Sequence, residues 1–177
     1  MSVSDLATGT SVAIRRAEAL TAGERDDLTA VLIACVDGGA SLGFHASLAW
    51  EKGRRWWEGF PRRGVVLLVA ERDGRIVGTV QLHAAESENG AHRAEVAKLL
   101  VDPACRRQGI GRALMARLEE EARTEGHTLL VLDTRAGDPS NDLYQALGYI
   151  EGGRVPNWAR DSTGVLSETV FWYKQLP

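Results

Sequence analysis

The chain has 177 residues, 44% of them hydrophobic and 25% charged, with a formal net charge of -3, which describes one globular domain with enough apolar material for a core. That balance argues against nucleic acid, whose polyanionic backbone selects strongly basic partners. No apolar run approaches the roughly 20 residues that cross a bilayer, and the start, MSVSDLATGTSV, lacks the basic end and apolar stretch of a secretory signal, so a reduced cytoplasmic setting without a membrane partner is expected.

The first ten residues read as a flexible start, and residues 1–177 as a single unit without repeat or linker. Ser11 to Arg16 reads as a first strand. From Glu24 to Val36 the apolar positions Leu28, Val31, Leu32, Cys35 and Val36 recur at three- and four-residue steps, the period of an amphipathic helix, and Gly38-Gly39 stops it. A second helix is expected around Ser47 to Phe60, with Leu48, Trp50, Trp56, Trp57 and Phe60, ending at Pro61. VVLLVAER and RIVGTVQLHAA flank Asp73-Gly74, a strong hairpin signal.

After the polar loop ESENGAHR, Glu95 to Val101 alternates, which sends Glu95, Ala97, Leu99 and Val101 to one face and Val96, Lys98 and Leu100 to the other. A helix from about Gly109 to Glu125 carries the stripe Ile110, Leu114, Leu118 and Ala122. Thr128 to Thr134 is nearly all apolar, as in a strand covered on both faces. Asp138 as N-cap and Pro139 open a short helix that closes at Gly148, and strands at YIEGGRV and ETVFWYKQL finish the chain. Cys35 and Cys105 have no Cys or His at ligand spacing, so both read as free thiols, Cys35 in the core, and no metal is assigned. His83, His92 and His127 likewise have no partner at a telling spacing.

CRRQGIGRAL, Cys105 to Leu114, sets arginines and glycines before a helix. A helix N-terminus offers up to four unpaired N–H groups and roughly half a positive charge. Gly109 and Gly111 allow close main-chain approach, and Arg106, Arg107 and Arg112 add charge, so the loop reads as a pyrophosphate cradle. A Walker loop is excluded because no Lys follows Gly111, and a dinucleotide fingerprint is disfavoured by Leu114 where a small residue belongs. A surface turn with solvated arginines is the plain alternative.

Arg106-x-x-Gly109-x-Gly111, between an alternating strand and an amphipathic helix, resembles the acetyl-CoA loop of the GCN5-related N-acetyltransferases (GNAT), and the likeness runs from about Val65 to Tyr149. It implies an α/β GNAT fold: a strongly bent, mixed, mainly antiparallel sheet of six or seven strands flanked by about four helices. It also implies acetyl-CoA as co-substrate, with pantetheine in a V between the strand of Glu95 to Val101 and that of Leu129 to Thr134. Leu99, Leu100 and Val101 would pair with pantetheine, and Arg106, Arg107, Gln108, Gly109, Ile110, Gly111, Arg112 and Ala113 would hold the pyrophosphate. By the same likeness Tyr144 matches the thiol acid, the alternative being an aromatic packed on the sheet, and Asn141 matches a pantetheine contact, the alternative being an Asn bonded to its own backbone.

Glu95 and Asp133 sit on otherwise apolar strands, where an unpaired buried carboxylate is costly. Either they face the opening and hold an acceptor ammonium as contact and base, or they are paired, Glu95 with Lys98 or Arg93 and Asp133 with Arg135, or they are simply solvated at a strand end. GGASLGF, RAEVAKLLV, LDTRAG and LYQALGY resemble the tabtoxin-resistance branch of the superfamily, which implies an amino-acid-like toxin or antibiotic as acceptor, with Phe44 and His45 lining its pocket. The tryptophan segment reads as a substrate wall or, more plainly, as core. The expectation is a monomeric or homodimeric acetyltransferase acting on a small primary amine by direct attack in a ternary complex. The alternatives are transfer to a protein N-terminus or lysine, and a non-catalytic acyl-CoA sensor.

Overall fold

A computed structural model describes residues 11–40 and 42–177. The flexible start expected at residues 1–10 lies outside these, as does Ser41. Among the described residues, seven strands form one sheet in the order β1-β2-β3-β4-β5-β7-β6. The strands are β1 (Ala13–Arg16), β2 (Val65–Arg72), β3 (Arg75–Ala84), β4 (Arg93–Val101), β5 (Leu129–Arg135), β6 (Ile150–Arg160) and β7 (Leu166–Gln175). Four α-helices flank them: α1 (Ala22–Asp37), α2 (Trp50–Glu58), α3 (Ile110–Thr124) and α4 (Ser140–Ala146). Every strand pair is antiparallel except β4 with β5.

Local chemistry accounts for the boundaries. Thr21 and Glu24 make a reciprocal capping box at the start of α1, and Asp73 (φ 53) with Gly74 (φ 74) gives the left-handed pair of a tight hairpin turn between β2 and β3. The second helix is shorter than its sequence pattern, because Leu48 and Phe60 reach the core from outside α2. Asp138 still organises the entry to α4, its Oδ1 accepting from the Ser140 N–H at 2.9 Å, although the helix proper begins at Ser140 rather than Pro139.

The core has two parts, one on each face of the sheet. On one face α3 packs Ile110, Leu114, Leu118 and Ala122 against Leu68, Val80, Leu82, Val96 and Leu130. On the other, α1 and α2 pack Leu28, Leu32, Val36 and Trp57 against Leu67, Val69, Ile76 and Leu100. Trp57 is fully buried and Trp56 packs against this second group, so these two indoles are core rather than substrate wall; Trp50 is exposed. Cys35 and Cys105 are both buried free thiols, and burial pushes the Cys35 thiol up from its ordinary range.

Two expectations about strand faces fail for physical reasons. The alternation along β4 is broken by a bulge: Gln81 pairs with Ala97 but Thr79 with Leu100, so Lys98 and Leu99 together oppose Val80, and Lys98 has φ 52. One extra residue reverses the facing of everything beyond it. Leu99 and Val101 therefore pack on the α3 side, and Leu100 on the α1 side. Nor is β5 covered on both faces. Leu130 and Leu132 are buried under the α3 side, while Val131 is half-buried and Asp133 exposed on the other, because α1 and α2 reach no further across the sheet than β4.

Candidate active site

Strands β4 and β5 pair over only three residues each, Arg93 to Glu95 with Leu129 to Val131. Beyond Val131 β5 pairs only with β7, and beyond Glu95 β4 pairs only with β3, so a fork opens between two parallel strands in the middle of the sheet. The bulge at Lys98 lies on one arm. Main-chain groups on the open edge of Leu99 to Val101 can accept an extended ligand as a further strand would pair.

At the outer end of that arm the chain passes through a 3-10 turn (Pro103–Cys105) into the quoted loop. Arg107 (φ 62) and Gly109 (φ 81) both adopt the left-handed conformation, and successive amides in such a turn point toward one centre. The Ala113 N–H is the first of α3 to bond back along the helix, to Gly109 O at 3.0 Å. The amides preceding it have no helical acceptor, while that of Ala113 is engaged within the helix. A Cβ at Gly109 would meet nothing within 4 Å, so the space in front of the loop is open. This geometry fits a pyrophosphate. Arg107 and Arg112 are exposed beside it. Arg106 turns inward, its Nε donating to Val101 O at 3.2 Å, and the Gln108 side chain accepts from Arg72 at 2.7 Å.

Tyr144 lies on α4 against the same core, buried and 5.8 Å from the Tyr149 ring. Its hydroxyl makes no hydrogen bond among the described residues. Burial, reinforced by Asp138 and Asp133, holds the phenol above its ordinary range, so it is a neutral hydrogen-bond donor throughout physiological pH. Asn141 is differently placed from the expectation. Its Nδ2 donates to Arg135 O (2.9 Å) and Asp138 O (2.8 Å), and its Oδ1 accepts from Trp172 Nε1 (3.1 Å). Those bonds tie the end of β5, the start of α4 and β7 together, which is the backbone-fastening alternative.

On the face opposite α3, Glu95 and Asp133 both point to solvent at the fork. None of the three pairings that would have neutralised them forms among the described residues. Lys98 Nζ donates to Leu42 O at 3.1 Å, and Arg135 turns to Asp138 and Asp161, both 3.8 Å away. Asp133 Oδ2 instead accepts from Thr169 Oγ1 at 2.9 Å. Glu95, with His83, Arg93 and Val131, lines an open cleft of about 540 Å³. A second cleft, about 400 Å³, shares Val131 and runs along Gly152, Gly153, Phe171 and Tyr173. Two carboxylates on this face can hold an ammonium ion.

Lys98 has a role that its place on an apolar strand did not reveal. Burial pushes its ammonium down from the ordinary range while Glu95 and Asp133 act the other way, so both carboxylates are near enough to feel its charge. Its bond to Leu42 fixes one end of the α1–α2 loop, and Ala46 N–H bonds Ser162 O (2.9 Å) in the β6–β7 turn to fix the other. The half-buried Phe44 and exposed His45 thus belong to a strap running from β4 to the β6–β7 turn.

Comparison with known proteins agrees with this geometry. The model of the acetyltransferase (GNAT) family matches residues 31–149. The chain is 36% identical over 131 residues to an uncharacterized N-acetyltransferase of Azospirillum brasilense, covering 71% of this chain and 77% of that protein. It is 28% identical to the L-amino acid N-acyltransferase MnaT of Escherichia coli over 57% of this chain and 59% of that protein. Among solved structures, the ribosomal-protein-alanine N-acetyltransferase of Brucella melitensis superposes with a TM-score of 0.76 at 29% identity, over 93% of this chain and 99% of that one. The Salmonella typhimurium yncA protein, solved with its cofactor acetyl-CoA, has the same fold, with a TM-score of 0.77 at 23% identity over 94% of each chain. With a family match over most of its length and a forked sheet opening beside an anion-binding loop, the chain belongs to the GNAT family and is an acetyl-CoA-dependent N-acetyltransferase.

Proposed function

We propose that the acceptor is the primary amine of a small zwitterion of the amino-acid class, a toxin or antibiotic of that kind included, and that it reacts by direct attack in a ternary complex. The observation that carries this reading is the exposure of Glu95 and Asp133 on the open face of the fork, with the Lys98 ammonium near enough to feel both. The carboxylates suit an ammonium and the lysine suits a neighbouring anion. The relatives named for L-amino acid and for L-methionine sulfoximine/L-methionine sulfone acetylation, each 28% identical to this chain, support the same class.

Acetyl-CoA supplies the activated acyl group. The amides from Gln108 to Arg112 hold its pyrophosphate, with Arg107 and Arg112 adding charge, and the open edge of Leu99 to Val101 pairs with its arm. Glu95 and Asp133 hold the ammonium and are the candidates for receiving its proton, while Phe44 and His45 form the wall. Tyr144 donates a hydrogen bond to the departing sulfur. Because burial raises its pKa, the phenol favours that bond over outright proton loss to a thiolate, whose ordinary value is about 8.5. The setting is a reducing cytoplasm, consistent with two buried free thiols, and the protein acts as a monomer or homodimer.

A second reading, transfer to a protein N-terminus, is favoured by the likeness to the ribosomal-protein-alanine enzyme. Thiol release from acetyl-CoA measured against amino acids, amino-acid-like toxins, aminoglycosides and alanine-ended peptides, with acetylated products identified by mass spectrometry, decides between them. Fastest release with a free amino acid or its analogue is expected. Release with peptides alone would overturn the small-molecule reading.

A further inference from the structure

Resting on that acetyltransfer reading, the geometry points to a catalytic residue that neither the motif nor the family likeness supplies: we propose that His83 is the base that finally takes the proton of the acceptor ammonium, with Gln81 fixing the tautomer that lets it do so. His83 lies on β3 directly opposite Glu95 of β4. Both line the same open cleft, with Val131 at its far wall. His83 is half-buried, and its Nε2 meets Gln81 Oε1 at 2.7 Å. Gln81 is fully buried between β2 and β4, and with its Oε1 as the acceptor the ring proton is assigned to Nε2. The lone pair of a neutral ring then resides on Nδ1, the nitrogen left free to act as base. With Oε1 facing the ring, Gln81 Nε2 is buried without a partner among the described residues.

Three charged groups, from two parts of the chain, act on the ring. Glu95 on β4 favours the imidazolium, Lys98 on β4 and Arg62 in the segment before β2 oppose it, and burial outweighs the rest, so the ring is neutral at pH 7. An imidazole, ordinarily near 6.5, is also a better match than a carboxylate to an alkylammonium near 10.4, and proton transfer is most effective between groups of neighbouring pKa.

One proton of the ammonium, held by Glu95 and Asp133, passes to His83 Nδ1 directly or through a water, and the freed lone pair forms the nitrogen–carbon bond. The carbon–sulfur bond breaks with its electron pair on sulfur. The second nitrogen proton reaches that sulfur through water while the Tyr144 hydroxyl donates a hydrogen bond to it, and the imidazolium returns its proton to solvent through the open cleft. The products are the amide, the free thiol and one released proton.

The test pairs kinetics with a measurement on the unaltered protein. With the amine that gives the fastest thiol release, wild-type kcat/KM should rise through a pKa below 6.5 and then stay level until the amine itself deprotonates. In His83→Gln it should fall by about 10²-fold at pH 7 and climb about tenfold per pH unit, approaching wild type about two units higher, because only free amine then reacts. A His83→Gln profile that keeps the wild-type shape and level overturns the proposal and leaves the acetyltransfer reading standing. Nitrogen-15 NMR of the wild-type imidazole needs no acceptor, so it reads His83 even if the acceptor class is wrong. Above the imidazolium pKa, a neutral ring protonated on Nε2 supports the assignment, and one protonated on Nδ1 overturns it.

Discussion

Replacing Gly109 by alanine isolates what the loop's shape contributes to holding acetyl-CoA. Gly109 has φ 81, and a methyl group there would touch nothing within 4 Å, so the substitution adds no clash and its whole cost is the left-handed backbone, roughly 1–2 kcal/mol for a residue with a Cβ. The cost can be met in two ways. If the loop keeps its form, the free protein is destabilised by that amount, about 2–8 °C in Tm for a chain of this size, and affinity is unchanged. If the loop relaxes, stability recovers but the amides from Gln108 to Arg112 turn away, and Kd for acetyl-CoA rises by up to about 30-fold. Calorimetric titration and thermal unfolding on the same variant should therefore show losses that sum to about 1–2 kcal/mol. A variant that matches wild type in both would refute the claim that this backbone conformation forms the cradle.

Tyr144→Phe keeps the buried ring and removes only the hydroxyl, so kcat should fall by about 10²-fold with the melting temperature and acetyl-CoA affinity near wild type; unchanged turnover would remove Tyr144 from the chemistry. Asn141→Ala deletes three internal hydrogen bonds and should cost about 2–4 kcal/mol in denaturant unfolding, whereas a stable variant with weakened acetyl-CoA binding would return Asn141 to the cofactor. Lys98→Met removes the bond to Leu42 and the charge beside Glu95 and Asp133, so the acceptor KM should rise about tenfold or more while acetyl-CoA Kd holds. Relieved of a partly buried charge, that variant should be no less stable than wild type, and a rise in acetyl-CoA Kd alone would contradict the place given to Lys98.

The elements nearest in sequence were the most legible. The stripe Ile110, Leu114, Leu118 and Ala122 is the buried face of α3, and Asp73-Gly74 is the hairpin turn, because each depends on periodicity or turn chemistry within a few residues. The bulge at Lys98 was not legible: RAEVAKLLV alternates cleanly, and only the unequal register with β3 inserts the extra residue. The open face of β5 was hidden for a related reason, since an apolar run cannot report that α1 and α2 stop short of it. At the site, Glu95 and Asp133 stood out as charges on apolar strands and do face the opening. The engagement of Asn141 with Trp172, 31 residues away, and the pairing of His83 with Gln81 two residues before it and Glu95 across the sheet required the fold. A His two residues from a Gln on one strand is the faint signal that was available, as both side chains fall on one face.

The most direct test of the central claim is a titration of the isotopically labelled protein with acetyl-CoA, followed through its backbone amide resonances. The largest shifts should fall on Gln108 to Arg112 and on Leu99 to Val101, the loop and the open arm of the fork. Saturable binding that leaves those amides unmoved, or no binding at millimolar acetyl-CoA, would contradict the account.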